Sequence, residues 1–103
     1  MKTPQELISY HSSGKPVNCK LDVEPYFCDF WPPQEIEALN LAYSVPTYLP
    51  GFFAFGTNGG CEMFAIAPDR SVVTFPFVGM EPAVASRVAA TWGNFEALLN
   101  PVD

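Results

Sequence analysis

Few side chains in this sequence could do chemistry. His11 is its only histidine, and Cys19, Cys28 and Cys61 are its only cysteines. A histidine acting as a general base needs a nucleophile within reach and a third group to orient it. Neither is suggested beside His11, whose neighbour is Tyr10, so a surface or half-buried histidine is preferred to a catalytic one. Structural zinc takes four ligands, usually as closely spaced pairs. Three widely spaced cysteines and one histidine lack that pattern, and an odd number of cysteines is no disulfide framework. Free buried thiols acting as small hydrophobes are expected instead. The stretch Thr57-Asn58-Gly59-Gly60 could cradle a phosphate with its amides, but a P-loop continues into Gly-Lys-Ser/Thr and a helix. Here an apolar strand follows, so a hairpin turn is the preferred reading. No catalytic residue, metal ligand or cofactor site is assigned, and the chain is read as not an enzyme.

The carboxylates say more. The chain carries 11 acidic and 5 basic residues, a net charge of −6 and a pI near 4.5. Nucleic-acid binding needs a basic footprint, and an anionic membrane repels such a chain. A basic protein partner is permitted. No Lys or Arg lies between Leu21 and Asp69, whereas Asp22, Glu24, Asp29, Glu35, Glu37, Glu62 and Asp69 do. Simple solubility charge is one explanation. The sharper one is a surface that steers and docks a cationic protein. Its candidate contact residues are Asp22, Glu24, Asp29, Glu35, Glu37 and Glu62, with Trp31 and Tyr48 as aromatic anchors and Tyr26 as a further candidate. Burial of Trp31 in the core is the preferred outcome for that residue. Glu62 follows the hairpin turn on a strand face shared with Phe64 and Ile66. It is read either as a solvated strand end or as bonded to a partner or the local loop.

These residues need elements to position them. At 103 residues, 49% hydrophobic and 15% aromatic, the chain supplies one domain, residues 1–103, with one bulky core. Asn-Gly between two aromatic-rich runs predicts a central hairpin, Phe52–Phe55 returning through Met63–Ala67. Thr3-Pro4-Gln5-Glu6 predicts a helix start with Thr3 as N-cap and Glu6 closing a capping box. Val17 to Val23 alternates as a half-buried strand, and Tyr26 to Phe30 is a second, with Phe27 as an apolar member. Pro33 to Tyr43 is predicted helical, with Ile36, Leu39 and Tyr43 on its apolar face. Val45 to Pro50 reads as a connector. Val73, Phe75 and Phe77 alternate as a further strand, with Pro76 at an edge or near its end. Ala83 to Ala90 carries weak helix signals, and Asn94 reads as the cap of a final helix holding Phe95, Leu98 and Leu99. The sum is an α+β fold, a central antiparallel sheet of four to five strands flanked by helices. An exposed edge near Leu21 or Val73 would make a homodimer possible. No run approaches a membrane span. Met1 to Glu6 lacks the apolar stretch of a signal peptide, so a cytoplasmic location is expected.

A set of motifs resembles the SUKH superfamily. They are Phe30-Trp31-Pro32-Pro33-Gln34-Glu35-Ile36, Asn40, Tyr43, Val45-Pro46 and Tyr48-Leu49-Pro50-Gly51-Phe52. The similarity continues through Ala54-Phe55-Gly56, Asn58-Gly59-Gly60, Glu62-Met63-Phe64-Ala65-Ile66, Pro76-Phe77-Val78-Gly79-Met80, Asn94-Phe95-Glu96 and Leu98-Leu99. The chain departs from the pattern at Cys61, where a third glycine is common, and at Ala67, where an aspartate is. The resemblance implies a non-catalytic binding fold. Bacterial members are immunity proteins that neutralise toxins, many of them nucleases, and the fungal namesakes are interaction proteins regulating cell-wall glucan synthesis. A SUKH-like immunity protein binding a basic toxin is therefore the expectation, and a regulatory or scaffolding protein of the cell-wall type is the alternative.

Overall fold

Near-continuous apolar runs can be strands only where both sheet faces are covered, and that condition sets the centre of this molecule. In the computed structural model, which describes residues 2–102, the elements follow in order. They are α1 (Gln5–Ser12), β1 (Asn18–Lys20), β2 (Phe27–Phe30), α2 (Ile36–Ala42), α3 (Val45–Tyr48), β3 (Phe53–Thr57) and β4 (Glu62–Ile66). After these come β5 (Val72–Pro76), a single 3-10 turn (Pro82–Val84), β6 (Ser86–Ala89), α4 (Trp92–Leu98) and β7 (Asn100–Pro101).

One antiparallel sheet takes the order β6-β5-β4-β3-β2-β1-β7, which places the β3–β4 hairpin in its middle as expected. The sheet has seven strands, not four or five. The two extra strands had no period-2 signal to read. β6 is exposed over Ser86 and Arg87, and β7 is two exposed residues directly after a helix. Their positions also correct the expectation of free edges. β7 covers β1 beside Cys19, and β6 covers β5 beside Val73. The outermost strands of the sheet are therefore β6 and β7, not β1 and β5.

A cluster of rings fills the core. Tyr10 of α1 stacks on Phe30 at 4.5 Å between ring centroids. Phe55 lies 5.4 Å from Trp92 and 5.7 Å from Phe95 of α4. Phe64 closes the group at 5.7 Å from Phe95. Offset and edge-on pairs of this kind add to the area they bury. The short helices persist because these rings hold them, since isolated helices of such length are marginal.

Three cap assignments change. α1 has Pro4 at its N-cap with no side-chain cap, because the Thr3 hydroxyl donates to Glu37 at 2.7 Å instead, and Glu6 pairs with Arg70. α4 is capped by Thr91, whose Oγ1 accepts the Asn94 amide at 3.0 Å, so Asn94 is the capped residue and not the cap. The helix expected from Pro33 begins at Ile36, and the expected connector holds the single turn α3.

Ser44, between α2 and α3, has φ 59° and makes no side-chain cap bond. A left-handed conformation costs a residue with a Cβ about 1 kcal/mol. Ser44→Gly is expected to raise unfolding free energy by roughly 0.5–1 kcal/mol in urea titration.

Candidate functional site

The connection between β1 and β2 is short, polar in sequence and aromatic at its surface. Leu21 is buried, and its N–H donates to the Tyr26 carbonyl at 2.7 Å. Tyr26 in turn donates its N–H to Val23 at 2.8 Å and takes a left-handed backbone, φ 72°. This pulls residues 22–27 into a tight outward turn. Asp22 and Glu24 are exposed on it. Val23, Tyr26 and Phe27 are 40%, 52% and 49% exposed. The alternating strand therefore ends earlier than its pattern suggests, and Val23 points out. Phe27 is outward too, because Cys28 and Phe30 are the inward members of β2.

The carboxylates of this turn form no ion pair among the described residues. Among the described residues the ion pairs are Lys15–Glu96, Arg70–Glu6 and Arg87–Asp69, the last at 3.0 Å. None of Asp22, Glu24, Asp29, Glu35, Glu37 and Glu62 takes part in one. Asp69 is tied in more deeply: the hydroxyl and amide of Ser71 donate to its Oδ1 at 2.6 and 3.0 Å, which holds its carboxyl below the usual aspartate value.

The candidate residues fall in several places. Glu24 and Glu62 line one small polar pocket of about 170 Å³ with Thr74, Ser86 and Arg87. Cross-strand partners share a face. Asp29 pairs with Thr57 and Thr57 with Met63, so Asp29 faces the side of the sheet opposite to Glu62. Glu62 does share its face with Phe64, and its carboxylate reaches the local loop, 3.5 Å from the Asn58 amide nitrogen. That loop is held by Asn58, whose Oδ1 accepts the N–H groups of Gly60 and Glu62 at 2.9 and 3.2 Å. The Asn-Gly-Gly stretch is thus a hairpin turn. Glu35 is exposed at the start of α2, and Glu37 accepts both the hydroxyl and amide of Thr3.

The aromatic anchors divide. Trp31 is 9% exposed, with Tyr43 stacked on it at 6.0 Å, so it is a floor and not a protruding anchor. Tyr48 is 56% exposed on α3 and offers its ring to solvent. Tyr26 and Phe27 are the aromatic pair that stands beside carboxylates. Phe27 was hidden in the sequence by its place in an apolar run.

His11 is half-buried, its Nε2 buried without a hydrogen-bond partner among the described residues. It lines a groove of about 440 Å³ between α1 and α2 with Leu7, Ile8, Pro33 and Ile36. Its ring meets Phe30 edge-on at 5.8 Å. Burial favours the neutral imidazole and lowers its pKa. The unfolded chain then binds this proton at higher pH than the fold does, so stability falls as pH drops below about 6.5. Thermal melts at pH 7.5 and 5.5 are expected to show a smaller drop for His11→Gln than for the wild type. Cys19 and Cys28 are buried and free as expected, while Cys61 is free but exposed, because it sits on the hairpin loop and not in its strand. Among the described residues no cluster of three or more His, Cys, Asp or Glu is arranged to hold a metal, and no helix is long and apolar enough to cross a membrane.

Asn40 is the most fully bonded polar side chain of the core, with three hydrogen bonds to Ile36 and Ala54. Its signal was a polar residue four positions after Ile36 in the apolar stripe of α2. No protein-family model matches the chain, and no curated protein matches it.

Proposed function

We propose that this is a non-catalytic protein-binding domain that takes a basic protein partner on the turn between β1 and β2. The observation that carries this reading is that turn: two carboxylates that form no ion pair among the described residues, set among three apolar side chains about half exposed. Unpaired charge steers an oppositely charged partner and speeds encounter. Half-exposed aromatic rings then supply the contacts that lose most on truncation. Glu35, Glu37, Asp29 and Glu62 add negative charge at other places on the molecule and contribute to the steering field, and Tyr48 adds a further exposed ring. No Lys or Arg lies in the interval from Leu21 to Asp69 that supplies these carboxylates.

The resemblance to the SUKH superfamily gives the reading its biological form. The domain acts in the cytoplasm as an immunity protein, occluding a cognate nuclease-type toxin by stoichiometric binding. The second form is a regulatory or scaffolding protein of the cell-wall synthesis type, resting on the same resemblance. Co-expression with the basic partner separates them. An immunity protein restores growth of cells producing that partner, and Asp22→Lys with Glu24→Lys abolishes the rescue. If production of the partner does not harm cells, the immunity form is wrong and the regulatory form stands.

A further inference from the structure

We propose that Cys19 and Cys28 form a dithiol modification site, a cross-strand pair that small-molecule disulfides oxidise to an intramolecular disulfide in the folded protein. The register places the two residues directly opposite one another on β1 and β2. Both are free, and they are 1% and 0% exposed.

The local ladder fixes which kind of pair this is. Phe30 donates its N–H to the Val17 carbonyl at 2.8 Å, and Leu21 to the Tyr26 carbonyl at 2.7 Å. These bonds flank Cys19 and Cys28 two residues away on either side, so Cys19 and Cys28 occupy a hydrogen-bonded position of the antiparallel ladder. Opposed residues there have Cα atoms about 5.5 Å apart and side chains on one face. A disulfide joins Cα atoms roughly 4.4–6.8 Å apart. A pair in this register position falls within that range without a change of register.

Access is unequal. Cys19 lines a surface cavity of about 300 Å³ with Tyr10, Lys15, Pro16, Glu96 and Leu99. Its Sγ lies 3.4 Å from the Pro16 carbonyl and 3.8 Å from the Tyr10 hydroxyl. Cys28 is 0% exposed and is not among the residues lining that cavity. Cys19 is therefore the thiol that meets an oxidant first and Cys28 the one that resolves.

The chemistry balances with one disulfide oxidant. The Cys19 thiolate attacks one sulfur of the oxidant, whose S–S bond breaks and releases a thiolate. The Cys28 thiolate then attacks Cys19 Sγ and displaces the second thiolate. Two S–H bonds are lost from the protein and one Sγ–Sγ bond is formed. The oxidant accepts two electrons and leaves as two thiols. Burial raises both cysteine pKa values, so closure quickens as pH rises. The bond would cross-link the two strands that carry the exposed turn. The site itself stands whether or not that turn binds a partner.

The test uses the full chain with Cys61→Ser, which removes the exposed thiol. The reduced protein is incubated with oxidised glutathione in native buffer, and intact mass and free thiols are followed. The expected result is a monomer lighter by two hydrogens, loss of both titratable thiols, and a non-reduced peptide map linking Cys19 to Cys28. Dithiothreitol should reverse it. Adding Cys19→Ser should leave one free thiol and no link. Two thiols that persist in native buffer and cross-link only after urea is added would overturn the proposal. A stable glutathione adduct that never closes would overturn it equally.

Discussion

Replacing Asn40 with Leu is expected to cost about 4 kcal/mol of unfolding free energy, enough to lower the melting temperature by roughly 20 °C. The reason lies at the β3 bulge between Ala54 and Gly56. β2 ends its pairing with β3 at Phe30 and Gly56, so Ala54 has no strand beside it on that side. Both polar groups of a strand residue point the same way, and the Asn40 side chain meets them. Its Oδ1 accepts the Ala54 N–H at 2.8 Å, and its Nδ2 donates to the Ala54 carbonyl at 2.8 Å. The same nitrogen donates to Ile36 at 2.9 Å. Asn40 is fully buried, so water cannot replace it. Leucine keeps the branching of asparagine but is bulkier, and it would strand both groups of Ala54, each at about 1–3 kcal/mol. Aspartate would keep one bond and set a carboxylate against the Ala54 carbonyl, so it should also destabilise. Chemical denaturation of both variants checks this. A loss below about 1 kcal/mol for Asn40→Leu would mean that Ala54 finds another partner.

The second large effect is expected at Gly56. A Cβ built there would lie 2.5 Å from the Asp29 carbonyl oxygen and 3.2 Å from the Asp29 carbonyl carbon and Phe30 Cα. All three are backbone atoms of β2 and cannot rotate away. Gly56→Ala must therefore push β2 from β3, disturbing the Trp31 N–H to Phe55 carbonyl bond of 2.9 Å just beyond the pair. Overpacking of this kind costs about 3 kcal/mol. By contrast, Gly14→Ala meets no atom within 4 Å, and only its φ of 68° resists the change. The comparison separates crowding from backbone conformation, since both substitutions add one methyl group. Equal losses at the two positions would show that crowding at the β2–β3 contact is not the larger cost.

Much of this arrangement was legible from residue pattern. The hairpin around Asn58-Gly59 was, because its turn chemistry and its two apolar runs agree. The inward Cys19 and Leu21 were, because they alternate with Lys20 and Asp22. The capping of α1 was not, since Thr3 satisfies either an N-cap or Glu37 and only the fold brings Glu37 near. β6 and β7 were not, because an edge strand with polar or small residues carries no hydrophobic period. The site was half legible. Charge type along the chain marked the carboxylates, but pairing is a matter of three dimensions: it consumes Asp69 and leaves Asp22 and Glu24 free. Phe27 reads as core until β2 is in register. Trp31 offers both an anchor and a core residue by type, with burial the preferred reading, and the fold does bury it beneath Tyr43.

The central claim is that the β1–β2 turn receives a basic protein. The most direct measurement is affinity capture from the source cell with three baits, read by mass spectrometry and repeated with the identified protein after purification. The baits are the wild type, a turn variant with Asp22→Lys, Glu24→Lys and Tyr26→Gly, and an α2 variant with Glu35→Lys and Glu37→Lys. Glycine suits the left-handed backbone at residue 26, so the turn itself is kept. The expected result is one basic protein bound by the wild type, lost with the turn variant and weakened with the α2 variant, with wild-type affinity falling as salt rises. Recovery of the same proteins by the wild type and the turn variant, with affinities that salt does not change, would contradict the account.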